Sequence, residues 1–138
     1  MVKPEWELAE EEFNNAFNKG KYSYCHKLPD SKIANKSNWA NKGAKFISLP
    51  KQPADFIVVC NGVTFFADVK TTANTKGISS SLFKSQAAHK LKILNAGGLY
   101  YFFIKSLSDN KWYRLPAGYD NFNAKWEELE KFSFDITK

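Results

Sequence analysis

One dipeptide constrains this chain more than any other. Asn61-Gly62 stands between Phe56–Cys60 (FIVVC) and Val63–Ala67 (VTFFA), two runs rich in β-branched and aromatic residues. A type I′ turn needs positive φ at both central residues, and Asn-Gly is the pair that accepts this most readily. The stretch from Pro53 to Lys70 is therefore predicted to fold as a β-hairpin. A two-residue loop also fixes the register. Cys60 faces Val63, and counting outward along the two strands brings Asp55 opposite Asp68. Side chains alternate faces along a strand, so Lys70 projects from the same face as Asp68.

The open end of the hairpin thus carries two carboxylates and an ammonium. Directly opposed residues have Cβ atoms roughly 5 Å apart, and like charges there are destabilising. At an effective dielectric of about 20 the repulsion is about 3 kcal/mol, a sizeable part of the roughly 5–15 kcal/mol that stabilises a domain. Two readings follow. Asp55 can be a simple strand-start residue, with Asp68 and Lys70 on a solvated edge. Alternatively, the repulsion is offset by a shared proton, by Lys70 or by a divalent cation. Mg²⁺ is the natural candidate, because it is usually held by one or two carboxylates together with waters and substrate phosphates.

The 138 residues suffice for one domain with a real core, and the 43% apolar and 16% aromatic content argues against a disordered tail. No apolar run is long enough to span a bilayer, and the acidic start MVKPEWELAEEEF has no apolar signal core. Cys25 and Cys60 lie in unrelated contexts, which suits reduced thiols in a cytoplasm rather than a disulfide scaffold. The net charge of +6 is unevenly placed. Residues 19–51 carry eight lysines, among them Lys27, Lys32, Lys36, Lys42, Lys45 and Lys51, against one acid, Asp30. A basic block of this density is either a soluble lysine-rich surface or the footprint of a phosphate backbone.

Residues 5–18 read as an amphipathic helix, with Pro4 at its start and Lys19-Gly20 at its end. Trp6, Ala9, Phe13, Ala16 and Phe17 form the apolar stripe, while Glu7, Glu11 and Glu12 point outward. Glu10 falls inside the stripe, so it either reaches water at the edge or faces a cation. Tyr22–Cys25 and Phe46–Leu49 are strand candidates around a polar, Asn- and Lys-rich segment. Residues 71–81 read as a loop. A second helix is predicted from Ser80 or Ser81 to about Asn95, with Phe83, Ala87, Leu91 and Leu94 inward and Gln86 and Lys90 at or within that face. Ala96-Gly97-Gly98 stops it. Leu99–Ile104 is continuous enough to be a buried central strand, parallel to one hairpin strand after a right-handed crossover. Trp112–Leu115 reads as another strand, and residues 124–132 as a short C-terminal helix. No Gly-rich phosphate loop, which a nucleotide cofactor would need, no G-x-S-x-G elbow and no zinc-like Cys/His spacing is present.

The constellation Glu10 … Asp55 … Asp68-Val69-Lys70 resembles the PD-(D/E)XK nuclease superfamily. The ADF start, the Asp-x-Lys strand end, the entry HKLPDSKI and the run SQAAHKLKILNAGGLYYFFI resemble the RecU-type Holliday junction resolvases. The E-x-x-F of Glu10–Phe13 is similar to the N-terminal helix of archaeal resolvases. This resemblance implies a restriction-endonuclease-like α/β (α+β) fold, with the N-terminal helix first and a central mixed β-sheet flanked by helices. It implies a homodimeric endonuclease that uses Mg²⁺, or Mn²⁺ in its place, to cut branched DNA at four-way junctions. Asp55, Asp68 and the Val69 carbonyl would bind metal. Glu10 would ligate a second ion or its water, Lys70 would orient the attacking water, and Gln86 would support the site. Residues 28–50 would form the stalk that enters the junction. Two departures stand out: Asp68 replaces the usual Glu, and the stalk is short and lacks its usual threonines and arginines. Phe102, Trp112 and the C-terminal helix are the expected self-association surfaces.

Overall fold

In the computed structural model, residues 2–29, 32–33, 47–48, 52–79, 87–117 and 124–134 are described. Helix α1 (Glu5–Lys19) leads into β1 (Ser23–Lys27), and β2 (Lys32–Ile33) pairs with β3 (Ile47–Ser48). The hairpin follows as β4 (Phe56–Cys60) and β5 (Val63–Thr72), then the short β6 (Gly77–Ile78). Helix α2 (Ala87–Asn95) crosses to β7 (Tyr100–Ser106) and β8 (Lys111–Pro116). The chain closes with β9 (Ala124–Lys125), one 3-10 turn (Trp126–Glu128) and β10 (Glu130–Phe132).

The main sheet has the order β1-β4-β5-β7-β8-β10. All its pairings are antiparallel except β5 with β7, as the crossover through α2 requires. It is therefore the mixed sheet expected, with the N-terminal helix first. The hairpin register is the one the turn dictates: Cys60 pairs with Val63 and Phe56 with Ala67. Asn61 and Gly62 have φ of 51° and 83°, the left-handed pair that a type I′ turn demands.

Each face of the sheet carries its own core. On the α1 face, Ala9, Phe13 and Phe17 bury against Cys25, Phe56, Val58, Phe65, Val69 and Phe103. Phe13 is the centre of this packing, with ring centroids 4.9 Å from Phe17, 5.1 Å from Phe56 and 4.9 Å from Phe103. On the α2 face, Tyr100, Phe102, Ile104, Tyr113, Leu115 and Trp126 form the second core. Polar contacts fix the pitch of α1. Asn18 exchanges two hydrogen bonds with the Cys25 backbone, at 3.0 and 2.9 Å, near the helix C-terminus. Glu12 accepts from Trp112 Nε1 at 2.9 Å and from Lys105 Nζ at 2.9 Å.

Several expectations are corrected. Residues 124–132 are not a helix. Their apolar positions pack against the sheet as β9, a single turn and β10, with Glu130 and Arg114 ion-paired across β10 and β8 at 2.8 Å. Trp6 is half-exposed, because the described core begins at Ala9. Glu12 is exposed as expected, yet it also clamps α1 to β7 and β8. Residues 71–81 are not all loop, since β5 runs on to Thr72 and β6 pairs with β9. Leu91 is exposed, and Ile93 packs against the core in its place beside the expected Leu94 and Lys90. Phe102 and Trp112 are core residues at 0% and 7% exposure, so neither supplies a self-association surface. Ser80, Ser81 and Phe83 lie outside the described residues.

Replacing Phe13 with Ala should cost about 3–5 kcal/mol, the usual penalty for emptying an aromatic core position. Thermal unfolding followed by circular dichroism should register this as a fall in Tm on the order of 10 °C or more.

Candidate active site

β4 begins at Phe56, so the hairpin ladder stops one step short of Asp55. The Asp55 side chain continues it, with Oδ2 accepting from the Val69 backbone N–H at 2.9 Å. The carboxyl group is thereby held in the gap that β4 leaves beside β5. The N–H and C=O of a ladder residue serve the same neighbour, so the Val69 carbonyl points towards that gap as well.

Asp68 is 1% exposed, the most deeply buried acid among the described residues. The parallel register sets it beside Phe102, on the α2 face. Neither of its carboxyl oxygens makes a hydrogen bond of acceptable geometry among the described residues. Its cationic neighbour is Lys70, whose Nζ stands 3.3 Å from Oδ2. Burial, and then the nearby charge of Asp55, push the Asp68 carboxyl up to about 7, and Lys70 only partly opposes them. The hairpin thus assembles the Asp55, Asp68 and Lys70 that its turn predicted. An acid stripped of water and left short of donors beside a second acid is a donor set that a hard cation fits.

Glu10 is held elsewhere. Its Oε1 accepts from Lys27 Nζ at 2.8 Å, so the acid in the apolar stripe does face a cation. Lys27 also lies over the Phe56 ring, 5.4 Å from its centroid. Among the described residues, no three acidic, histidine or cysteine side chains converge as a ready-made ion cage. Lys90, expected at or within the inward face of its helix, is indeed buried there, 7% exposed and 5.4 Å from the Phe102 ring centroid. Gln86, Lys36, Lys42, Lys45 and Lys51 lie outside the described residues, and of Lys32 only the strand is described. Cys25 is buried, its thiol pushed up to about 12, which makes it an inert core residue.

No protein-family model and no curated protein matches the sequence. Among solved structures, the chain is similar to Hjc, a Holliday junction resolvase from the archaeal hyperthermophile Archaeoglobus fulgidus. The TM-score is 0.55 at 10% identity, over 91% of this chain and 94% of that one. The likeness is one of fold: a restriction-endonuclease-like α/β architecture with the N-terminal helix first and a central mixed sheet. No described helix is long and apolar enough to cross a membrane.

Asp68 titrates higher in the folded chain than its ordinary value of 3.8. Between about pH 4 and 7 the folded state holds a proton that the unfolded state has lost, so the contribution of Asp68 to stability falls as pH rises through that window. Above pH 7 both states are ionised and the penalty is complete. In the absence of divalent ions, Asp68→Asn should therefore melt above the wild type by roughly 5–10 °C at pH 8, with the gap closing towards pH 4. A gap independent of pH would show that the Asp68 charge is not the source.

Proposed function

We propose that this chain is a divalent-cation-dependent, structure-specific endodeoxyribonuclease that resolves four-way DNA junctions as a homodimer. The observation that carries this reading is the buried Asp68 carboxyl, short of hydrogen bonds among the described residues, beside Asp55 and Lys70 on a fold similar to that of a junction resolvase.

Asp55, Asp68 and the Val69 carbonyl would hold Mg²⁺, or Mn²⁺ in its place, and Glu10, here paired with Lys27, would ligate a second ion or its water. Such an ion, when bound, polarises the scissile phosphoryl group and lowers the pKa of its water. Lys70 projects from the face of Asp68 and would orient that water and stabilise charge on the phosphoryl oxygens. Asp55 is fixed by the Val69 N–H, so its carboxylate is aimed before substrate arrives. Burial of Asp68 excludes bulk water from the reacting groups. Gln86 would support the site from the segment leading into α2. The lysines of residues 28–50, Lys32, Lys36, Lys42 and Lys45 among them, with Lys51 just beyond, would contact phosphates by charge alone. Symmetric cleavage of a four-armed substrate requires two such sites related by a two-fold axis.

The test is a single gel in which the protein and Mg²⁺ meet labelled four-way junction, linear duplex and single strand. Paired nicks in the junction alone are expected. Cutting of duplex would reassign the chain to a restriction or repair nuclease, and a shift without cleavage to a DNA-binding protein on the same scaffold. Asp68→Asn should reduce cleavage at least about a thousandfold while leaving the junction shift in place.

A further inference from the structure

The sheet has two faces of unlike charge. Helix α1 covers one and carries five glutamates (Glu5, Glu7, Glu10, Glu11, Glu12) against Lys19. Helix α2, on the other, carries His89, Lys90 and Lys92 and no acid. Its Ile93 and Leu94 pack on the core that β7 and β8 build, while the β1–β4 half of that face stays open. Register orders the open half into rows. Cys25, Val58 and Cys60 point into the α1 core, so alternation turns Tyr24, His26, Ile57 and Val59 to the open face. Tyr24 stands beside Val59, and Val59 beside Thr64; His26 stands beside Ile57, and Ile57 beside Phe66. Two residues further along β4 and β5 come Asp55 and Asp68. Rows recur every two residues, so Tyr24 lies about 13 Å along the strands from the carboxylates, or about four base steps of stacked DNA. Neither β1 nor β4 carries an acid, and nor does β5 before Asp68. Tyr24 is 58% exposed and Val59 37%. Tyr22, just before β1, is exposed as well, with Lys21 Nζ 5.3 Å from its ring centroid.

We infer that this open face binds the substrate DNA, and that Tyr24 is the ring on which a base exposed at the branch point stacks. This rests on the nuclease reading above. Two occupants compete for an exposed aromatic row: a nucleic acid and a second copy of the chain. Strand addition by a second copy is blocked, because the outer edge of β1 is already closed. Tyr22 and Leu28 spend backbone groups on Asn61 and Asp55, so alternation leaves those of Cys25 facing outward. The Asn18 side chain takes both of them, accepting from the Cys25 N–H at 2.9 Å and donating to its carbonyl at 3.0 Å. A copy laid face to face fares no better. An isologous contact sets a patch against its own image, and the charges of this patch outside the site are cationic. DNA supplies the complement on both counts, with phosphates for the cations and π faces for the rings. The open face also runs without a break into the row that holds Asp55 and Asp68, so one strand of DNA can reach both.

The test is the affinity of the intact chain for a fluorescein-labelled four-way junction in EDTA, followed by anisotropy. Tyr24→Ala should weaken binding by roughly tenfold, the usual weight of one stacked base. Tyr24→Phe, which keeps the ring, should bind as the wild type does. The slope of log affinity against log salt should be the same for all three, because stacking releases no counterions. A 2-aminopurine at the branch point should be quenched when the wild type binds and not when Tyr24→Ala does. Equal affinities for wild type and Tyr24→Ala, or a loss in Tyr24→Phe as large as in Tyr24→Ala, would overturn the inference and leave the nuclease reading standing. So would a Tyr24→Ala chain that light scattering finds monomeric where the wild type is dimeric, since the face would then be a self-association surface. A wild type that binds no junction would overturn both.

Discussion

A buried carboxylate short of hydrogen bonds among the described residues is the constraint around which this molecule is arranged. Asp68 lies in the middle of the sheet, on the strand that pairs with both β4 and β7, and it is 1% exposed. Ordinary folding pressure removes such a residue, because a buried charge without hydrogen bonds costs several kcal/mol. Its neighbours relieve the cost only in part. Lys70 approaches to 3.3 Å, while Asp55 adds a second negative charge. Strain of this kind is tolerated where the rest of the fold is over-determined. Here two separate cores, one on each face of the sheet, supply that excess.

The two faces divide the labour. The α1 face is almost entirely packing: Phe13 and Phe17 interlock with Phe56, Phe65, Phe103 and Phe134, and Glu12 anchors the helix through Trp112 and Lys105. The α2 face carries Asp68 and Lys70 beside Phe102 and Ile104. Period-two alternation makes this separation automatic. Val69, between the two polar residues, must point into the α1 core, while its backbone N–H stays in the sheet plane to hold Asp55. The motif Asp-x-Lys thus needs an apolar central residue, and Val satisfies the core while leaving both flanking groups on one face.

What the sequence revealed and what it hid follow from the range of the interactions involved. The hairpin was legible because Asn61-Gly62 is a local signal that fixes register without help from the rest of the chain. Helix α1 and the central β7 were legible from periodicity and from an unbroken apolar run. The segment 124–132 misled, because Trp126, Leu129 and Phe132 repeat every three residues, a spacing that suits a helix. The edge of β8 was free to recruit the last of these into a strand, and no local pattern records a free sheet edge. Likewise Glu12 looks like a solvated acid, until tertiary folding brings Trp112 and Lys105 to it. Glu10 was ambiguous for the same reason, since its partner Lys27 is on another element.

For the proposed nuclease, the distribution of cations bears on what kind of nucleic acid it would bind. Arg114 is the chain's one arginine. It is bound to Glu130 through two nitrogens, at 2.8 and 3.3 Å, and stacked over Tyr101 and Phe132. The guanidinium fork that most often reads guanine edges in the major groove is therefore spent on fastening β10 to β8. What remains is lysine, a compact point charge that suits phosphate and carries little base preference. Under the proposed function, a protein with this inventory gains affinity from backbone charge rather than from arginine readout of guanine. That fits the proposed branched substrate, in which several backbones converge on one point.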